Sequence, residues 1–133
     1  MSLSIGQSAS FSKTISESDV YGYAGIVGDF NDVHINEAAA KNSIFGERIA
    51  HGMLVGGLIS TVLGTKLPGV GTIYLEQQLK FIKPVFFGDT VTAIVSVNEI
   101  VNMEKGIYKM DTNIYNQNND TVVTGYAIVK YLE

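Results

Sequence analysis

An uncharged apolar stretch constrains this chain more than any other feature of its sequence. "AHGMLVGGLISTVLGT", from Ala50 to Thr65, carries no formal charge and is apolar almost all round. A helix of this composition is normally buried on every side. It is too short to cross a membrane, and His51 and Ser60 make it too polar. The stretch therefore predicts a buried central helix and no membrane partner.

Small residues recur at every fourth position of this helix. Gly52, Gly56, Ser60 and Gly64 would form one stripe along its surface. Such a stripe lets another backbone, or a thin ligand, approach the helix closely. The pattern is compatible with tight packing of helix on sheet and also with a ligand lying along the helix.

The second half of the chain alternates between apolar and polar residues with a period of two. In "TVTAIVSVNEI", for example, Val91, Ala93, Val95 and Val97 share one face. Residues 108–114 and 122–131 behave similarly, and "TIYLEQQLKFIKP" precedes them all. These segments predict four strands, separated by stretches that carry turn residues.

The first half of the chain is mainly helical in pattern. After a predicted strand over Ala9–Ile15, Ser16 and Asp19 have the spacing of a helix start, and Gly28 would end that helix. Asn36 is a candidate N-cap for a second, short helix. Helices followed by strands indicate an α+β domain with an antiparallel sheet. We expect one domain over residues 1–133, with the sheet wrapped around the long central helix.

Composition excludes several classes of function. The chain has 133 residues, of which 46% are hydrophobic, a net charge of −4 and a pI near 5.1. Its nine Lys and Arg residues form no basic patch, so we expect no nucleic-acid partner. The absence of cysteine excludes disulfides and thiolate metal sites and fits a cytoplasmic protein. The N-terminal residues show no signal-peptide pattern.

One short polar loop concentrates the candidate chemistry. In "GDFNDVHIN", which begins at Gly28, Asp29, Asn31 and His34 fall within six residues, and the whole chain has only two histidines. An Asp and a His in one loop are, by default, a capping or surface pair. No His-x-x-x-His or similar cluster accompanies them, so we expect no metal.

A longer motif around this loop resembles a known family. "YAGIVGDFNDVHINEAAA", from Tyr23 to Ala40, is similar to the hydratase-2 motif of MaoC-like proteins, the (R)-specific enoyl-CoA hydratases. "IAHGML", "LPGVGTIYLEQQLKFIKPVFFGD" and "VVTGYAIVK" resemble the small monofunctional members that supply polyhydroxyalkanoate synthesis. The motif departs from the family at Asp32, where the family has proline. A proline there would stiffen the turn.

The resemblance implies a fold and an assembly as well as an activity. The fold would be a hot-dog fold, in which an antiparallel sheet wraps one long helix. Its relatives pair two sheets edge to edge, which covers strand edges that would otherwise be a liability, so we expect a homodimer. The activity would be reversible hydration of short to medium trans-2-enoyl-CoA to (R)-3-hydroxyacyl-CoA, without a cofactor.

Hydration of an enoyl thioester requires a base for water, an acid for C2, and hydrogen-bond donors for the charge on the thioester oxygen. By resemblance, Asp29 and His34 hold the water together and add it to one face, and which of the two moves which proton stays open. The Gly52 N–H is the expected oxyanion donor. Asn31 would orient the loop or the dyad.

Two further residues near the central helix have more than one interpretation. His51 would support the turn before Gly52, with its imidazole satisfied by backbone groups. Ser60 is either a core hydroxyl bonded to its own helix or a contact on the substrate side.

Two other functions fit the sequence less well. A hot-dog thioesterase shares the fold and the acyl-CoA ligand but lacks the Asp-x-Asn-x-x-His arrangement. A non-catalytic acyl-binding subunit would have no need of both Asp29 and His34. Periodicity does not reveal the preferred chain length, the pathway, or whether CoA or an acyl-carrier protein presents the substrate.

Overall fold

Five antiparallel strands and four helices make up the part of the chain that the computed structural model describes, residues 3–132. Met1, Ser2 and Glu133, which the expected domain of residues 1–133 includes, lie outside the described residues. The elements are, in order, β1 (Ser8–Thr14), α1 (Glu17–Val27), α2 (Asp32–Ile35), α3 (Glu37–Lys41), α4 (Gly52–Thr65), β2 (Ile73–Phe81), β3 (Thr90–Asn102), β4 (Ile107–Tyr115) and β5 (Thr121–Lys130). No helix within residues 3–132 is long and apolar enough to cross a membrane.

The strands form one sheet in the order β1-β3-β4-β5-β2, and every neighbouring pair is antiparallel. Alternate residues of β3, β4 and β5 point to one face and are buried there. Helix α4 packs on this face with Val55, Ile59, Val62 and Leu63 in the core. The predicted α+β architecture, an antiparallel sheet around a central helix, is therefore confirmed.

Local signals place the start and end of α1 where the sequence predicts them. The Ser16 side chain accepts from the Asp19 N–H at 3.0 Å, and the Ser16 N–H donates to the Asp19 carboxylate at 2.9 Å. This hydrogen bond from the Ser16 backbone lowers the pKa of Asp19 below its ordinary value. Gly28 ends the helix with φ +79°, a left-handed conformation that glycine adopts without strain.

The surroundings of α4 differ from the expectation that it is buried on every side. Gly52, Ser60 and Gly64 are exposed, and Met53 is 60% exposed. Gly56 alone in the small-residue stripe is buried, where an added Cβ would lie 3.0 Å from Leu79. The five-stranded sheet curves around only part of the helix, so one side of this apolar helix is not covered by any of residues 3–132.

Strand β2 lies at an edge of the sheet, beside the uncovered side of α4. It and the residue that follows it expose large apolar side chains: Ile73, Tyr74, Leu75, Phe81 and Ile82. The pairing of β2 with β5 is interrupted by a bulge between Tyr74 and Glu76. Edge strands usually carry charged or otherwise protective residues, so this many large apolar side chains exposed at a sheet edge are unusual.

Candidate active site

A cavity of 510 Å³ opens at the N-terminal end of α4. Its walls come from the loop after α1, the segment before α4, and the end of β2 with the residues that follow. Three of the predicted site residues, Asp29, His34 and Gly52, line it together. Residues that the sequence analysis did not assign to the site also line it, among them Phe45, Ile49, Phe81 and Lys83.

The loop that carries Asp29 and His34 is folded by its own side chains. The Asp29 carboxylate accepts from the Asn31 N–H at 3.2 Å, and the Asn31 side chain accepts from the Val33 N–H at 3.3 Å. Asn31 thereby caps α2, a single helical turn that the sequence analysis did not predict. This turn carries His34 into the cavity while Asp29 stays at its rim.

The position of Asp32 explains why the turn survives without the family's proline. Asp32 is the first residue of α2. Proline is favoured at this position because it has no N–H to lose and a suitable φ. An acidic side chain is also stabilising in the first turn, next to the positive end of the helix dipole. Either residue therefore supports the same conformation.

His34 is buried and its tautomer is determined by a backbone contact. Its Nδ1 lies 2.7 Å from the carbonyl oxygen of Ile49. A carbonyl oxygen only accepts, so Nδ1 carries the proton and the Nε2 lone pair is free. Ile49 in turn donates its N–H to the Val33 carbonyl at 3.0 Å. Val33 and His34 are therefore both hydrogen-bonded to the extended segment that contains Ile49.

The second histidine lies directly against the first. The rings of His34 and His51 stack, with their centroids 3.8 Å apart and an angle of 25° between their planes. The Tyr23 ring also lies against His51, with 4.9 Å between the two ring centroids. His51 Nε2 donates to the carbonyl oxygen of Asp29 at 2.9 Å. Its Nδ1 has no hydrogen-bond partner among the described residues. We expected backbone groups to satisfy the imidazole of His51. Among the described residues, they form a hydrogen bond with only one of its two nitrogens.

Gly52 presents its N–H at the beginning of α4. His51 is the N-cap and makes no capping hydrogen bond with its side chain. Within residues 3–132, no acceptor takes the Gly52 N–H, as is usual for the first turn of a helix. A Cβ on Gly52 would lie 2.7 Å from the Phe81 ring, so the missing side chain leaves room for that ring.

Asn31 and Ser60 lie apart from the cavity. The Asn31 side chain is exposed, and its oxygen accepts the hydrogen bond that caps α2. This hydrogen bond orients the loop. Ser60 lines a separate groove of 430 Å³ between α4 and β2, together with Gly56, Tyr74 and Leu79. Met53 borders both the groove and the cavity. A contact of Ser60 with substrate would therefore lie along the helix, away from the dyad, and it stays a prediction.

By residue type, Asp29, His34 and His51 resemble metal ligands, because one nitrogen of each imidazole and a carboxylate oxygen lie within 4.8 Å of one another. Their orientation argues against this use. An ion bound by both imidazoles would have to lie in the plane of each ring, and these planes run side by side. The expectation of no metal remains a prediction.

The fold and the cavity together define a hot-dog domain with an acid, an imidazole and a free helix N–H at one opening. The family described as MaoC like domain matches residues 2–119, and the chain belongs to this family. The resemblance identified from the motif is thereby confirmed.

Relatives of known activity are similar over most of the chain. An (R)-specific enoyl-CoA hydratase of Rhodospirillum rubrum is 58% identical over 100 residues, which cover 75% of this chain and 69% of the relative. The (R)-specific enoyl-CoA hydratase of Aeromonas caviae is 43% identical over 129 residues, which cover 97% of this chain and 96% of the relative. The solved structure of the A. caviae (R)-hydratase involved in PHA biosynthesis matches with a TM-score of 0.94 and 43% identity over 98% of each chain.

Proposed function

We propose that this protein is an (R)-specific enoyl-CoA hydratase that converts short to medium trans-2-enoyl-CoA reversibly to (R)-3-hydroxyacyl-CoA. The observation that carries the proposal is that Asp29, His34 and Gly52 line one cavity. The names of the R. rubrum and A. caviae relatives support the same reaction. The proposal includes residues 1–133 acting as one domain, and a cytoplasmic location.

The reaction is acid–base chemistry and needs no cofactor. Asp29 and His34 hold one water between them, and its oxygen bonds to C3 as the dyad takes a proton. The electrons of the C2–C3 double bond move to C2 and onto the thioester oxygen, and a proton is then delivered to C2. Because one proton is taken and one is returned, the dyad ends in its starting protonation state.

The beginning of α4 is suited to the charge that develops on the thioester oxygen. Among the described residues the Gly52 N–H has no partner, and the helix dipole adds positive potential at the same point. A donor of this kind is already in position before the reaction, so it stabilises the transition state without reorganisation.

Incubation with crotonyl-CoA tests the activity itself. A hydratase removes the absorbance of the enoyl thioester without releasing thiol, and the product is (R)-3-hydroxybutyryl-CoA. Release of free CoA thiol would indicate a thioesterase, and no change in either signal would indicate a non-catalytic protein. Direct consumption of the product by an (S)-specific dehydrogenase would contradict the stereochemistry.

The dyad is tested by Asp29→Asn and His34→Gln, which preserve size and much of the hydrogen bonding. Each should lower kcat by about 10²–10⁴-fold, because positioned proton transfer is lost. The double variant should be little slower than either single variant if both groups act on one water. Circular dichroism checks that the fold is retained. Two small losses that multiply would show that the residues act independently.

Replacement of Gly52 by proline tests the oxyanion donor. Gly52 is the first residue of α4, and His51 has φ −60° and ψ 134°, a conformation compatible with a following proline. The backbone therefore accepts proline and the variant lacks the N–H, but the proline ring, like any side chain here, would meet Phe81. We expect kcat to fall by about 10²–10³-fold, the usual cost of removing one such donor.

The matched control, Gly52→Ala, keeps the N–H but adds a methyl group that would contact Phe81. Both substitutions are therefore best made in a Phe81→Ala background, with that single variant as the reference. In the Phe81→Ala background, the Gly52→Ala variant should have nearly the kcat of the reference, whereas the Gly52→Pro variant should have a severely reduced kcat. Equal rates for alanine and proline would remove the Gly52 amide from the mechanism.

We further propose a homodimer in which two β2 edges meet. The exposed apolar residues of β2 and the uncovered side of α4 support this, because a second copy would bury both. Leu75, at the β2 bulge, is 52% exposed. Leu75→Asp should convert the protein to a monomer at micromolar concentration, as measured by analytical ultracentrifugation.

Met103 provides the matched control for this substitution. It is 72% exposed in the turn between β3 and β4, and in the sheet order β4 and β5 separate β3 from β2. Met103→Asp should leave the dimer intact. A wild-type protein that is monomeric and fully active at micromolar concentration would contradict the dimer proposal.

A further inference from the structure

His51 is a buried titratable side chain that the proposed mechanism leaves without a task. It is 3% exposed, and it contacts three parts of the site. Its Nε2 is bonded to the Asp29 carbonyl, its ring lies on the His34 ring, and its backbone is the N-cap of α4 just before Gly52.

The orphaned nitrogen of His51 argues against a purely space-filling role. Nδ1 is buried and has no partner within the described residues. A buried acceptor without a hydrogen bond costs stability, and an apolar ring of the same size would avoid that cost. If the site needed only a flat ring between Tyr23 and His34, phenylalanine would serve better. The group that a histidine supplies here, and phenylalanine does not, is the Nε2–H donor.

The donor is placed where it controls the geometry of the dyad. Asp29 follows the left-handed Gly28 and is exposed, so few contacts hold it. The bond from His51 Nε2 anchors its carbonyl to a rigid point at the start of α4. The stack meanwhile restricts rotation of the His34 ring, whose other constraint is the Ile49 carbonyl.

We propose that His51 is a positioning residue, which holds the Asp29 backbone and the His34 ring in fixed positions relative to the Gly52 N–H. This inference rests on the proposed hydratase function. His51 touches neither water nor substrate in this role. It acts through the residues that do, and displacements of about 1 Å in such groups can cost about 10²-fold in rate.

Three substitutions separate the donor from the ring. His51→Phe keeps a flat ring and removes the donor. His51→Gln keeps an N–H at the position of Nε2 and removes the ring. His51→Met matches glutamine in length and shape but has neither donor nor ring. Comparison of glutamine with methionine isolates the hydrogen bond even if phenylalanine does not fold.

We expect the phenylalanine and methionine variants to lose about 10–100-fold in kcat on crotonyl-CoA, with KM nearly unchanged. The glutamine variant should recover at least about 5-fold in kcat over methionine, because it restores the anchor of Asp29. Val20→Ala, in the buried part of α1 away from the cavity, controls for loss of stability alone and should retain wild-type kcat.

A wild-type kcat in the phenylalanine variant, or equal kcat in the glutamine and methionine variants, would overturn the proposal. Nitrogen-15 NMR of the imidazoles gives a readout independent of turnover. His34 should be protonated at Nδ1 and His51 at Nε2 in the wild type. Backbone amides of residues 29–31 should exchange faster in the methionine variant than in the glutamine variant. If these signals behave as expected while crotonyl-CoA is not hydrated, the positioning role stands and the proposed function fails.

Discussion

Packing of α4 on the inner face of the sheet is the interaction on which the rest of the structure depends. The apolar residues of α4 are buried against the inner face of the sheet, chiefly against β3, β1 and β4, which fixes where the helix begins. The start of this helix then provides both Gly52 and, one residue earlier, His51. Because Gly52 and His51 are attached to the end of this apolar helix, their positions are determined by hydrophobic packing elsewhere.

Ile49 joins the acidic loop to the segment before α4. Its N–H donates to Val33, its carbonyl accepts from His34, and it forms an isolated antiparallel bridge with Phe86. A short extended segment thus ties α2 to the stretch that follows β2. The site is assembled from loops, yet the hydrogen bonds of Ile49 and of its neighbour Ala50, whose N–H donates to the Val85 carbonyl at 2.7 Å, constrain three of its walls.

Local signals in the sequence were sufficient for most of the architecture. The capping pair of Ser16 and Asp19, the glycine at position 28 and the alternation along β3 each act within a few residues, so their consequences are visible in the sequence. The motif around Asp29 and His34 pointed correctly to the family. What sequence patterns did not reveal was the stack of His34 on His51, because 17 positions separate the two residues and only the folded chain brings them together.

The sequence predicts that α4 is buried on every side, which is more burial than the described residues give it. Its composition indicates an apolar environment on all sides but does not say whether one chain or two supply it. The Asn31 oxygen is taken up in capping α2, a short helix that the sequence patterns did not predict.

The position of Phe81 has a consequence for how the protein responds to dilution. This residue ends the edge strand, lines the cavity and lies against Gly52, all with half of its surface exposed. A wall of the cavity is thus built on the same strand that the proposed dimer would cover. If the dimer forms there, mass action links the rate per subunit to protein concentration, and dissociation of the subunits acts as an off-switch that requires no effector.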